Sequence, residues 1–129
     1  MTATTAHDAL TMQTLAVIEQ TEDAINRHDL TALAALIAED CVFENTFPAP
    51  DGTRHAGYEA VLAAFAEFFR SSPCANFETE ECFVCGERAV VRWRYRWLDA
   101  DGQAGHVRGV DILRVRDGKL AESLAYVKG

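Results

Sequence analysis

Between Arg88 and Leu98 the chain alternates by twos, with Trp93, Tyr95 and Trp97 on one set of positions and Arg92, Arg94 and Arg96 on the other. Successive side chains of a strand point to opposite faces, so this pattern predicts a strand over 88–98 with one aromatic and one basic face. Asp101-Gly102 and Asp117-Gly118 are turn pairs, and they bound two further runs, about 105–116 and 119–128. A preceding run at about 75–84 turns at Gly86-Glu87 into the aromatic strand. Four strands in a meander are therefore expected in the second half of the chain.

The first half reads differently. Met12, Leu15, Ile18, Glu22 and Ile25 recur at three and four, predicting a helix over about 8–27. Asp29 is a suitable N-cap for a second helix, about 30–38, with Leu30, Leu33, Leu36 and Ile37 on one face. Residues 41–47 alternate as a first strand: Phe43, Asn45 and Phe47 share one face, Val42, Glu44 and Thr46 the other. PAPDGTRHAG, 48–57, is a turn-rich loop. A third helix over about 57–70 buries Tyr58, Val61, Leu62, Phe65, Phe68 and Phe69, and Ser71-Ser72-Pro73 ends it. Residues 1–7 read as a loose tail. The whole is one α+β domain with helices on one face of a curved antiparallel sheet.

Composition narrows the partners. At 129 residues and 49% hydrophobic the chain is long enough to bury a core in one domain. A net charge of −8 argues against nucleic acid and anionic membranes. No apolar run reaches the ~18 residues of a membrane helix, and the N-terminus has no basic start with an apolar core, so a cytoplasmic protein with reduced thiols is expected. Cys82-x-x-Cys85 has metal or redox spacing, but no second pair or nearby His accompanies it, and residues three apart in a strand face opposite sides. No metal and no cofactor are expected; there is no P-loop, dinucleotide fingerprint or G-x-S-x-G.

The candidate chemistry centres on Asp111, in GVDIL. A carboxylate among apolar neighbours loses hydration and its pKa rises unless it is paired, which makes it a general acid or base if it faces a pocket. The structural alternative is a buried Asp satisfied by a cross-strand Arg. Register decides between them. A two-residue turn at Asp101-Gly102 sets Arg92 opposite Asp111 and favours a Glu81–Arg92–Asp111 row. A slip of one residue sets Trp93 opposite Gly109, turns the aromatics inward, and leaves Arg94 opposite Arg108. Like charges oppose the second arrangement; the burial of three arginines opposes the first. Hydrophobic burial tips the balance to the second. Asn45, between Phe43 and Phe47, is placed to donate to a ligand carbonyl or to satisfy backbone at a strand end. His55 and His106 lie in or near loops. Ala121, Ser123 and Ala125 are small and leave room.

The element order, with PAPDGTRHAGYEAVLAAF and the ending GVDILRVRDGKLAESLAYV, resembles the nuclear transport factor 2-like superfamily, in its SnoaL-like and ketosteroid isomerase-like branch. The likeness runs from about Leu15 to Val127. It implies a cone-shaped curved antiparallel sheet with three N-terminal helices enclosing a cavity, and a homodimer. Ketosteroid isomerases carry a base Asp on the first strand, a Tyr on the first helix and an Asp on the fourth strand; the matching positions here hold Asn45, Thr21 and Asp111. Against the epoxide hydrolases of the superfamily, Asn45 and Arg92 match, while Phe43, Arg94 and Ala125 replace a Tyr and two Asp. Those residue sets are incomplete. What the resemblance implies is a cofactor-free isomerase, cyclase or lyase acting on a small apolar carbonyl compound. Asp111 and Asn45 are its catalytic candidates, and Phe43, Phe47, Trp93, Tyr95, Arg92, His55, Phe65 and Ser123 its ligand wall. The alternative is a binding or dimerisation domain without turnover.

Overall fold

The computed structural model describes residues 6–128. The expected loose tail falls mainly on residues 1–5, which lie outside the described residues; the first helix already starts at Ala6. Helices α1 (Ala6–Asn26), α2 (Leu30–Ala34) and α3 (Tyr58–Ser71) pack on one face of a six-stranded sheet of β1 (Ile37–Glu44), β2 (Arg54–Ala56), β3 (Asn76–Cys85), β4 (Arg88–Leu98), β5 (Ala104–Arg116) and β6 (Lys119–Val127). The strand order is β2-β1-β6-β5-β4-β3.

The α+β layout and the meander match the sequence pattern, with three local departures. The second helix stops at Ala34, although the apolar spacing continues to Ile37. Asp29 does cap it, accepting from Ala32 N, but Leu36 and Ile37 are drawn into the sheet. Leu120 N–H donates to the Leu36 carbonyl at 2.7 Å and Ile37 pairs with Leu120. Cross-sheet pairing outbids helical spacing over a single turn, where propensity is weak. The first strand accordingly begins at Ile37 and ends at Glu44. The turn-rich loop also contains a strand: β2 pairs antiparallel with β1, Phe43 opposite His55. Three residues are too few to show a period. Finally, β1 runs parallel to β6, so the sheet is mixed at this pair and antiparallel elsewhere. Such a pairing needs a long crossover, here supplied by everything between residues 45 and 118.

The β4–β5 register is the one-residue slip: Trp93 lies opposite Gly109 and Arg94 opposite Arg108. The connection is not a two-residue turn. It spans residues 99–103, closed by Asp99 N–H donating to the Gln103 carbonyl at 2.9 Å. The Asp99 carboxylate accepts from the backbone N–H of Asp101 and of Gln103, at 2.9 and 2.8 Å. That side chain fixes an odd loop length, and the odd length sends the aromatics inward.

The like-charge opposition is resolved by a third strand. β3 carries a bulge between Thr79 and Glu81, which adds Glu80 to the outer face. Its carboxylate sits 2.9 Å from Arg108, 3.5 Å from Arg92 and 3.7 Å from Arg94. One anion thereby bridges the two arginines that face each other across β4 and β5.

The core lies between helices and sheet, with Ile18, Leu33, Val61, Cys41 and Val115 at most 1% exposed. α1 is also tied to the edge strand β3. The Asn26 amide donates to the Phe77 carbonyl and accepts from the Phe77 N–H, each at 2.9 Å, so a side chain completes hydrogen bonds that an edge leaves open.

Candidate functional site

The inner face of the curved sheet and the facing sides of α1 and α3 leave a pocket of about 520 Å³, the size of an ordinary small-molecule site. Its wall is built from five strands, with Phe43 supplied by β1 and alternate positions of the other four. β4 contributes Val91, Trp93, Tyr95 and Trp97; β5 contributes Val107, Asp111 and Leu113; β6 contributes Ser123 and Ala125; β3 contributes Phe77. Period-two alternation places all of these on one side once the register is set. Ile18, Thr21, Glu22 and Ile25 close it from α1, and Phe65 and Phe68 from α3.

The aromatic wall is continuous. Phe77 meets Trp93 edge-on at 5.3 Å between ring centroids and Tyr95 at 4.8 Å; Tyr95 continues to Trp97 at 5.5 Å. Across the pocket Phe43 stacks on Phe65 at 4.7 Å. These are separations at which aromatic pairs attract. Trp93 is 5% exposed, and its ring packs over Gly109. A Cβ on that glycine would lie 2.7 Å from the ring and 2.3 Å from the Tyr126 carbonyl oxygen. Trp97 and Phe47 mark the mouth, at 36% and 79% exposed.

Asp111 is the carboxyl deepest in this wall. Burial raises it from the ordinary aspartate value to about 7; the Trp93 indole N–H counteracts, and the Glu22 charge adds to the rise. Some of its surface stays accessible through the pocket, since the residue is only half-buried as a whole. The expected Arg partner is absent from its side of the sheet: Asp111 lies opposite Val91 and Ala125. Trp93 Nε1 lies near enough to favour the ionised carboxyl, yet outside the geometry of a formed hydrogen bond. Geometry governs here, because an indole donor needs alignment as well as proximity.

Of the ten residues singled out from the sequence, the structure brings eight onto this pocket: Asp111, Asn45, Phe43, Phe47, Trp93, Tyr95, Phe65 and Ser123. Two lie elsewhere. Arg92 falls on the outer face, opposite Val110, where its guanidinium donates to Glu81 at 3.2 Å. The Glu81–Arg92–Asp111 row therefore does not form, because the register puts Asp111 on the other side. His55 belongs to β2 and stacks beside Phe43 at 6.0 Å, off the pocket wall. Asn45 satisfies backbone at its strand end, one of the two roles expected of it, and lines the pocket. Its Oδ1 accepts from Thr53 N at 2.8 Å and Phe47 N at 3.3 Å.

Sequence reasoning missed Glu22 as a pocket residue. It lines the pocket, accepts a hydrogen bond from Thr79 Oγ1, and is pushed above the ordinary glutamate value by burial, less the Thr79 bond. The signal was there: Glu22 is the single charged member of the apolar stripe of α1. Thr21, at the position of the isomerase phenol, spends its hydroxyl on the Val17 carbonyl at 2.7 Å. Cys82 and Cys85 face opposite sides, pairing with Val91 and Arg88. No His/Cys/Asp/Glu group with metal-holding geometry occurs among the described residues, and no helix there is long and apolar enough to cross a membrane.

A curved six-stranded sheet packed on one face by helices, with a pocket between them, defines the fold class. The chain belongs to the SnoaL-like domain family, whose model matches residues 18–123. It is similar to a nuclear transport factor 2-like protein of unknown function from Mesorhizobium loti, at 46% identity and TM-score 0.78, over 92% of this chain and 93% of that one. It also shares its fold with two structures at 23% identity. One is a candidate polyketide cyclase from Sinorhizobium meliloti (TM-score 0.70; 86% and 94% of the two chains). The other is a candidate ketosteroid isomerase from Kribbella flavida (TM-score 0.77; 97% and 83%). No curated protein sequence matches the chain.

Proposed function

We propose that this chain is a cofactor-free acid–base catalyst for a small, largely apolar carbonyl compound, of the isomerase, cyclase or lyase type, with Asp111 as the proton-transferring group. The observation that carries the reading is the environment of Asp111: an unpaired carboxyl on an aromatic pocket wall, titrating at about 7. A group balanced between its two forms at neutral pH both gives and takes a proton. Asn45 lines the other wall, where it would orient the ligand. The names of the two fold relatives, a candidate cyclase and a candidate isomerase, agree with this class of reaction, and at 23% identity they support the fold alone.

The direct test is wash-in of deuterium at the carbon next to the carbonyl, followed by NMR over a panel of apolar ketones in D₂O. Exchange by the native protein, lowered by 10²-fold or more in Asp111→Asn, is the expected result. Ligands that bind with no exchange by either protein would sink the catalytic reading and favour the binding alternative, a pocket that holds its ligand unchanged.

A cytoplasmic homodimer belongs to the same proposal. Support comes from the outer sheet face, where Phe83, Val90, Val110, Ile112, Leu124 and Tyr126 interleave with the arginines. Phe83 and Tyr126 are more than half exposed. A second copy would cover that apolar surface; a monomer by size-exclusion at micromolar concentration would overturn the assembly.

A further inference from the structure

Two carboxyl groups line the pocket with no cation to answer them. Glu22 comes from α1 and Asp111 from β5. Each has a polar neighbour, and both neighbours are neutral: Thr79 Oγ1 donates to Glu22, and the Trp93 indole lies beside Asp111. A hydroxyl or an indole occupies a lone pair and leaves the charge of a carboxylate uncompensated. The other acids add to the load. Glu19, exposed one turn earlier on α1, repels Glu22, and Glu22 in turn repels Asp111.

The rest of the surroundings supplies no relief. Among the described residues no Lys, Arg or His lines the pocket. Its third charged residue, Glu67, is exposed and engaged by Arg70 at 2.9 Å. The strands beside Asp111 set Val91 and Ala125 opposite it. The arginines of the same strands are committed on the outer face, Arg92, Arg94 and Arg108 to Glu80 and Arg96 to Glu78. Negative charge therefore collects on one side of the sheet, in a pocket of low polarity where a charged ligand feels it strongly. The aromatic wall acts in the same direction. Phe77, Trp93, Tyr95 and Trp97 form a run with centroids between 4.8 and 5.5 Å apart, and ring faces attract a cation within about 6 Å. An ammonium group is attracted by carboxylates and rings together, whereas an anion is repelled by both.

We infer that the pocket is a site for an organic cation: an amine with a flat aromatic body, its ammonium group between Glu22 and Asp111 and its body along Phe77, Tyr95 and Trp97. The inference goes beyond the acid–base reading and adds a basic amine to the carbonyl compound proposed there. Desolvating the ammonium opposes binding, but the two carboxyls are already partly stripped of water in the folded protein, so the ligand brings the charge partner that the chain omits. A proton signature follows. The cation favours ionised Asp111, which titrates at about 7 in the free protein. Binding therefore releases the proton that Asp111 holds, and affinity rises with pH through that value.

The test uses three probes of one shape, 2-(aminomethyl)naphthalene, 2-(hydroxymethyl)naphthalene and 2-naphthoate, titrated by calorimetry at pH 6 and pH 8. With native protein at pH 8 the amine should bind about tenfold or more tighter than the alcohol, and naphthoate most weakly. Between pH 6 and pH 8 the amine should gain about tenfold, with proton release into the buffer, while the alcohol gains nothing. In Glu22→Gln the amine should weaken about three- to tenfold and the alcohol stay within twofold. In Asp111→Asn the pH dependence of amine binding should disappear. The comparison of probes on native protein keeps the test decisive if a variant folds poorly. Amine and alcohol binding alike at pH 8 would overturn the cation site and leave the carbonyl-compound reading to its deuterium exchange test. Naphthoate binding best, or an amine affinity independent of pH in native protein, would overturn it too.

Discussion

Asp111 and Glu80 are carboxylates on opposite faces of one sheet, and they behave in opposite ways. Glu80, on the outer face, is held by Arg108 with Arg92 and Arg94 nearby, and its carboxyl is kept below the ordinary glutamate range chiefly by the Arg108 hydrogen bond. Asp111, on the inner face, has no cation to meet and rises to about 7. The same strands supply both environments, because alternate residues of β4 are arginine outward and aromatic inward. A single alternating strand thus separates an ion network from a poorly solvated carboxyl. The lesson is that location on a face, and not residue type, sets what an acid does.

The largest effect expected from breaking this comparison comes from Asp111. Its folded pKa is raised, so the folded protein holds a proton that the unfolded chain has released between about pH 4 and 7. Stability therefore falls as pH rises through that window, and the penalty is complete above it. From an ordinary value of 3.8 to about 7, the full penalty is roughly 4 kcal/mol. Asp111→Asn removes it. Denaturant melts should show the variant level with native protein near pH 4 and more stable by a few kcal/mol at pH 8, even as the proposed acid–base activity is lost. A variant equally or less stable at pH 8 would mean that Asp111 has a hidden stabilising partner.

Next is Gly109→Ala, aimed at the register itself. The added Cβ meets the Tyr126 carbonyl oxygen and the Trp93 ring, so one of them must move. The expected destabilisation is about 1–3 kcal/mol, read from thermal or urea unfolding, with a changed near-ultraviolet signal from Trp93. A neutral substitution would argue against the aromatic-inward register.

Glu80→Gln sharpens the outer half. Removing the bridging charge leaves Arg94 directly opposite Arg108, so the melting temperature should drop, and added salt should narrow the gap to native protein by screening the exposed arginines. Acid titration bears on the same group. Its contribution is present above pH 4.5 and fades as pH falls through its lowered folded value. A salt-independent difference would point to lost packing instead.

The smallest effect is expected of Arg92→Ala. The side chain is on the outer face and 45% exposed, so stability should change by less than about 1 kcal/mol, and affinity for a pocket ligand should stay within twofold. A large loss of ligand binding, measured by calorimetry, would restore Arg92 to the site.

Much of this organisation is written locally. The meander, the three helices, the alternating faces of β4 and the apolar surroundings of Asp111 follow from spacings of two, three and four and from Asp-Gly turns, all of which act over a few residues. The family likeness follows from their order. The β4–β5 register was open in the pattern, because two turn lengths are compatible with the same residues. Asp99 closed it by tying down a five-residue loop, and Glu80 made the result tolerable through a bulge on a strand 28 residues away in sequence. Neither is a periodic signal. The displacement of Arg92 and His55 from the site, the short α2 and the parallel β1–β6 pair have the same origin: each depends on which distant strand sits alongside. Glu22 entered the pocket, and Trp93 Nε1 was left without an acceptor, for that reason too. The sequence by itself determined which faces are apolar and where an acid lies among them; only the tertiary structure decided which side chains meet, because burial, charge pairing and donor satisfaction are properties of neighbours that the chain brings from far apart.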